Sequence, residues 1–302
     1  MQLLNTVVAR AIPWIPRALV RTISRRYIAG DDLAHAVARI RQLNAQGYSA
    51  TVDVLGESVT SLAQAESTAA EYLQVLDAIQ THGLDASVSL KPTAMGLLLD
   101  SSQCEQWLER ILQSAQHNGT SVCLDMEDVR CTQAEIDMFL RLRARHGHIS
   151  LALQAYLQRT HRDIETLLRN HSDLRLCKGI YLEDHSHLVE QAWRDRTAIN
   201  PHFLAHVASC FEADRFVAIA THDAALIAQT ITLAQRNGVD KSRFEFQMLL
   251  GVCEPLRDQL LATGYAVRIY VPYGRDWYGY STRRLKENPA IAGHILRALL
   301  TR

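Results

Sequence analysis

A short apolar or alternating run recurs eight times along this chain, at residues 50–55, 86–90, 121–124, 149–153, 174–177, 216–220, 244–246 and 266–271. Stretches with helical periodicity separate them, at 61–81, 104–117, 133–146, 161–170, 187–211 and 224–237. Strand and helix alternating eight times predict an α/β fold, a (βα)8 barrel of the TIM type. A doubly wound open sheet is disfavoured because no G-x-G pair occurs among the fourteen glycines. The expected organisation is an N-terminal helical arm over residues 1–48 and a catalytic barrel over 49–302, ending in a helix that carries two adjacent arginines.

Function classes narrow with composition. The 302 residues are 48% hydrophobic and hold 32 basic and 32 acidic side chains, so no charge excess invites nucleic acid. Six scattered cysteines without C-x-x-C read as thiols in a reducing compartment. The thirteen histidines show no H-E-x-x-H or comparable spacing, and no metal is expected. Residues 1–30 lack any acidic side chain, while Arg10, Arg17, Arg21, Arg25 and Arg26 punctuate apolar stretches. Pro13 and Pro16 interrupt this segment, which falls short of the ~20 apolar residues of a membrane span. A packed helical arm is the favoured reading, ahead of a membrane-surface helix and a transit peptide.

Polar side chains gather at the ends of the strand-like runs, where barrel active sites are built. Asp53 and Glu57 flank the first, Lys91 ends the second, Asp125 and Glu127 the third, and Gln154 with Tyr156 the fourth. Lys178 and Tyr181 follow the fifth, Thr221 and His222 the sixth and Gln247 the seventh, and Tyr270 lies within the eighth. Each alone has a structural explanation: Asp125 could cap a helix, and His222 could satisfy a backbone group. Near the carboxyl end, Tyr280, Arg283, Arg284 and Glu287 share the three- and four-residue spacing of one helix face. Two neighbouring guanidiniums beside an aromatic ring suit a small carboxylate.

These strings resemble the proline dehydrogenase family from residue 27 to 288. The matching pieces are Y-I-A-G at 27–30, L-G-E at 55–57, S-L-K-P-T-A-M-G at 89–96, L-D-M-E at 124–127 and L-Q-A-Y-L at 153–157. They continue with R-L-C-K-G-I-Y at 175–181, A-T-H-D at 220–223, F-E-F-Q-M-L at 244–249 and V-R-I-Y-V-P-Y-G at 267–274. The resemblance implies FAD-dependent oxidation of L-proline to Δ1-pyrroline-5-carboxylate by hydride transfer from C5 to flavin N5, with a quinone as electron acceptor. It implies that Arg283 and Arg284 hold the substrate carboxylate, that Lys91 adds a cation paired with Asp125, and that Tyr270, Tyr280 and Leu249 line the ring. Gln154, Arg175, Lys178, Gly179 and Tyr181 would approach the flavin, with Arg175 near N5. Thr221, His222, Gln247, Glu287 and Arg196 would hold its adenosine and diphosphate half.

The amine must be neutral before its lone pair assists hydride loss, so the rate should rise with pH. Tyr270 favours proline over 4-hydroxyproline. The alternatives are a dehydrogenase of hydroxyproline or another cyclic secondary amino acid, and a non-catalytic amino-acid-binding barrel. The sequence departs from the family pattern at Ile180, where alanine is usual, Leu182, where an aromatic is common, Asp223 for asparagine and Thr93 for serine. A cytoplasmic protein is expected, peripheral to the inner face of a membrane through its basic arm. With the chain ending at Arg302, a separate pyrroline-5-carboxylate dehydrogenase would carry out the following step.

Overall fold

The computed structural model describes residues 17–57 and 59–287, apart from the side chains of 18, 19, 22, 23 and 283–287. Eight parallel strands close a barrel in sequence order: β1 (Ser49–Val54), β2 (Ala86–Leu90), β3 (Val122–Leu124), β4 (Ile149–Gln154), β5 (Asp173–Cys177), β6 (Val217–Ala220), β7 (Phe244–Leu249) and β8 (Val267–Tyr273). The closing pair runs from Ser49↔Arg268 to Val54↔Tyr273. The predicted barrel is therefore the observed one.

Ten helices are described. Helix α1 (Arg17–Ser24) and α2 (Leu33–Ala45) precede the barrel. The outer ring contains α3 (Leu62–Thr81), α4 (Ser101–His117), α5 (Val129–Arg143), α6 (Thr160–Arg169), α7 (Asn200–Glu212), α8 (Ala224–Arg236) and α9 (Glu254–Ala262), and α10 (Trp277–Glu287) follows β8. Helix α2 buries Ala36, Val37, Ile40 and Leu43, one stripe at helical spacing, against β1 and β8. Short polar side chains start the helices: Ser61, Asp100, Asp128 and Asp223 accept backbone N–H groups of the first turns of α3, α4, α5 and α8. Each such cap stabilises by about 1 kcal/mol.

Strand alternation decides which side chains enter the lumen. In β7, Phe244, Phe246 and Met248 alternate with Glu245 and Gln247, and in β8, Val267, Ile269 and Val271 alternate with Arg268 and Tyr270. The apolar set packs under the helices, and the polar set faces inward. Barrel lumens are ordinarily filled by layers of branched aliphatic residues; here they are filled by hydrogen-bonding groups.

One predicted helix changes form. The segment expected as helix over 187–211 becomes helical only at Asn200, because Asp184 and Asp195 divert the backbone into 3-10 turns at His185–His187 and Arg196–Ile199. Pro201, which lacks an N–H, then starts α7. Strand β7 runs three residues beyond the predicted 244–246, its alternation continuing through Gln247 and Met248. All six cysteines are free thiols, and no described helix is long and apolar enough to cross a membrane. No group of three or more His, Cys, Asp or Glu among the described residues could hold a metal ion.

Between α6 and α7 three imidazoles meet. His161 Nε2 lies 2.9 Å from His202 Nδ1, and the His161 and His206 rings are 4.5 Å apart. His206 is buried, and its Nε2 has no hydrogen-bond partner among the described residues. Burial, and then the charges of His161 and His202, push its pKa down to about 4. The fold therefore favours the neutral ring. Its contribution is complete above the unfolded imidazole value near ~6.5 and is lost as pH falls from there through about 4. Urea unfolding of the wild type should lose about 3 kcal/mol more than a His206→Phe variant over that interval, and parallel pH profiles would refute the assignment.

Candidate active site

The lumen groups converge on two buried cations. Arg175 on β5 donates through Nε to Gln247 Oε1 (2.6 Å) and through Nη1 to Ser89 Oγ (2.7 Å) and Asp125 Oδ1. Lys91, just past β2, lies 3.0 Å from Asp53 Oδ1 and 3.8 Å from Asp125 Oδ2. Tyr270 donates to Asp125 Oδ2 at 2.7 Å. Below them Gln247 donates to Glu245 (2.6 Å), which pairs with Arg268 (2.7 Å), itself bonded to the Ala50 carbonyl (2.8 Å). Three carboxylates, Asp53, Asp125 and Glu245, and the Gln247 amide thus hold three cations across the lumen.

Electrostatics follow from this packing. Burial opposes a charged Lys91, yet the carboxylates of Asp53 and Asp125 outweigh it and raise the ammonium above its usual range. Asp53 is itself pushed up by burial, with Lys91 opposing. Burial, reinforced by Asp125 and Asp53, lifts Tyr270 well above the phenol range, so it remains a donor. Asp125 accepts from Ser89, Arg175 and Tyr270 and faces Lys91.

Behind Lys91, Glu127 clamps the turn after β2, accepting from Thr93 N (2.9 Å) and from the Thr93 hydroxyl. Its backbone carbonyl accepts from Gln154 Nε2 (2.8 Å). Burial raises Glu127 to about 7 and Glu135, next to it, to about 9.

Above the lumen opens a cavity of about 430 Å3, within the ~300–1,000 Å3 of small-molecule sites. Lys91, Asp125, Leu249, Tyr270 and Tyr280 line it, as do Gln154, Arg175, Lys178, Gly179, Tyr181, Arg196, Thr221, His222 and Gln247. The structure brings all of these sequence-derived candidates together. Helix α10 runs through Arg283, Arg284 and Glu287, whose side chains lie outside the described residues.

Several candidates have partners that the spacing did not suggest. Lys91 sits closer to Asp53 than to Asp125, the partner expected from the resemblance. Lys178 pairs with Asp223 at 2.6 Å, which with burial opposing lowers Asp223 to about 2. Asp223 also caps α8 and accepts from Asn200 (3.1 Å). His222 Nε2 accepts the Leu249 N–H at 3.0 Å, so its imidazole ties β6 to the end of β7. Arg196 donates to the Gly179 carbonyl (2.6 Å) and makes no ion pair among the described residues. Ile180 is exposed at the rim, and Leu182 is fully exposed.

Ser89, Thr93, Glu245 and Arg268 were not candidates, and Asp53, noted at the end of the first run, had been given no role. Each of the two charged residues in β7 and β8 interrupts an apolar run at period two, the signal that would have placed it inside the lumen.

The proline dehydrogenase family model matches residues 36–297. Proline dehydrogenase 2 of Bacillus subtilis (strain 168) is 39% identical over 271 residues, which are 89% of this chain and 88% of the relative. Proline dehydrogenase of Deinococcus radiodurans is 31% identical over 291 residues, covering 95% and 93%. Among solved structures, proline utilization A from Bdellovibrio bacteriovorus, inactivated by N-propargylglycine, shares the fold with a TM-score of 0.80 at 21% identity. That match covers 89% of this chain and 33% of the longer one.

Removing Asp125 would leave two buried cations short of a counter-charge. An Asp125→Ala variant should lose about 3–5 kcal/mol in urea unfolding, while Asp125→Asn, which keeps an acceptor for Tyr270, should lose less. Equal stability of Asp125→Ala and wild type would contradict the network.

Proposed function

The chain belongs to the proline dehydrogenase family, and on that premise we propose that its cavity oxidises L-proline to Δ1-pyrroline-5-carboxylate using FAD, with a quinone taking the electrons. One observation carries this reading: the substrate-side residues Lys91, Asp125, Leu249, Tyr270 and Tyr280 share a single cavity with Gln154, Arg175, Lys178, Arg196, Thr221 and Gln247.

The donor set fits a flavin dinucleotide. Four cations, Lys91, Arg175, Lys178 and Arg196, face three carboxylates in the lining, Asp53, Asp125 and Asp223, leaving positive charge for an anionic ligand. Arg196, without an ion-pair partner among the described residues, suits a diphosphate better than Lys178, which Asp223 already engages. Arg175 is locked by Gln247, Ser89 and Asp125, so its pre-oriented positive charge would help hold a flavin and stabilise negative charge on it. When bound, the flavin would supply the hydride acceptor.

The chain's own residues would bind and orient the substrate. Lys91, held protonated, would join Arg283 and Arg284 in drawing the substrate carboxylate. Tyr270 and Tyr280, with Leu249, would enclose the ring and exclude water, so that positioning supplies most of the rate enhancement. The scheme requires no obligatory side-chain base, and the substrate amine would have to arrive neutral. The basic arm would give the protein a contact with an anionic membrane surface, where a quinone resides. A pyrroline-5-carboxylate dehydrogenase would take the product.

Anaerobic L-proline should bleach the visible flavin absorption of the purified protein, and 4-hydroxyproline should leave it unchanged. A flavin that neither compound reduces, or a protein that takes up no FAD, would overturn the assignment. In steady state, Arg284→Met should raise KM for proline by roughly 30-fold or more, the equivalent of ~2 kcal/mol or above, with bound flavin retained.

A further inference from the structure

We infer that helix α1 is a positioning element for the substrate, acting through α10: the arm seats the helix that carries Arg283 and Arg284 against the barrel mouth. This role presupposes the proline chemistry proposed above and assigns part of the N-terminal arm to the substrate side of the site.

Three kinds of contact join α1 and the residues just after it to α10. Ser24 Oγ lies 2.6 Å from Ser281 Oγ, both residues buried, and Ser281 in turn donates to the Trp277 carbonyl (2.6 Å). Two guanidiniums stand over aromatic rings of α10, Arg21 over Trp277 at 5.0 Å and Arg17 over Tyr278 at 4.7 Å. Such contacts contribute most where water is excluded. Tyr27 and Ile28 form a small apolar cluster with Leu55 and Tyr280, separate from the main core, against which Trp277 and Val252 pack. Tyr280 lines the cavity itself.

The other end of the arm is fixed to the barrel. Arg26 donates to the Gly251 carbonyl (2.9 Å) and pairs with Glu254 (2.9 Å). Ala29 N donates to the Pro272 carbonyl (2.9 Å), and Gly274 N to the Gly30 carbonyl (3.0 Å). Gly251, at φ +73°, approaches so closely that a Cβ there would lie 2.3 Å from the Arg26 carbonyl oxygen. The arm is thus anchored on the loops after β7 and β8 and reaches from them to α10. If the arm loosens, the fraction of molecules with α10 seated falls, and apparent substrate affinity falls in proportion.

Ser24→Ala combined with Ile28→Ala tests this. Amide hydrogen exchange over residues 277–287 should quicken by about tenfold, and KM for proline should rise by a similar factor, while kcat, flavin content and exchange in the strands stay within about twofold. The conservative pair Ser24→Thr with Ile28→Leu should restore both values. Unchanged exchange in α10 would overturn the inference, as would a parallel loss of kcat, flavin and strand protection, which marks a merely structural arm. If wild-type flavin does not respond to proline, the functional reading fails by itself, and the exchange data still decide whether the arm seats α10.

Discussion

The pairing of Arg175 with Asp125 and of Lys91 with Asp53 inside the barrel is the constraint on which the rest depends. Neither cation could remain there alone, since an unpaired buried charge costs several kcal/mol. Each is met by groups from other strands, Arg175 by Ser89 from β2 and Gln247 from β7 and Lys91 by Asp53 from β1, while Tyr270 from β8 bonds Asp125. The barrel must therefore close in one register for the charges to be satisfied. A well-packed aliphatic lumen would be as stable or more so, so stability does not account for this set of residues. The arrangement instead fixes two positive charges and a phenol in the lining of a cavity.

Fold and site were not equally readable from the chain. The strands announced themselves as short apolar or alternating runs and the helices through their periodicity, which is why eight runs became eight strands with shifts of a few residues at their ends. Glu245 and Arg268 were harder to place because each sits inside an apolar run, where a charge looks like an interruption. Only the closed barrel reveals that inward alternation is the pattern itself. The 3-10 turns before α7 escaped notice for a related reason: Asp184 and Asp195 compete locally with the helix through side-chain caps that periodicity does not register.

His222 shows how a site residue can carry both a structural and a functional reading. Its Nε2 accepts the Leu249 amide, so the imidazole secures the end of β7 whatever else it does. The same bond fixes the tautomer, placing any proton on Nδ1. A residue at a strand end is thereby oriented by the next strand, and Leu249, a wall of the cavity, is positioned by the same contact.

Asp223 illustrates the reverse, a departure from a family pattern that the fold absorbs. Asparagine and aspartate cap helices almost equally well, and Asp223 does accept the first N–H groups of α8. The extra charge is then taken up by Lys178, so a cation that would otherwise face the cavity is partly neutralised. Arg196 lies beside this pair, at the start of the turn leading into α7, and Lys178 Nζ comes within 3.5 Å of its carbonyl. Positive potential at this rim consequently rests more on Arg196 than the family pattern implies. The substitution therefore shifts the balance of cations around the cavity while leaving the cap, the strand and the lumen beneath it unchanged.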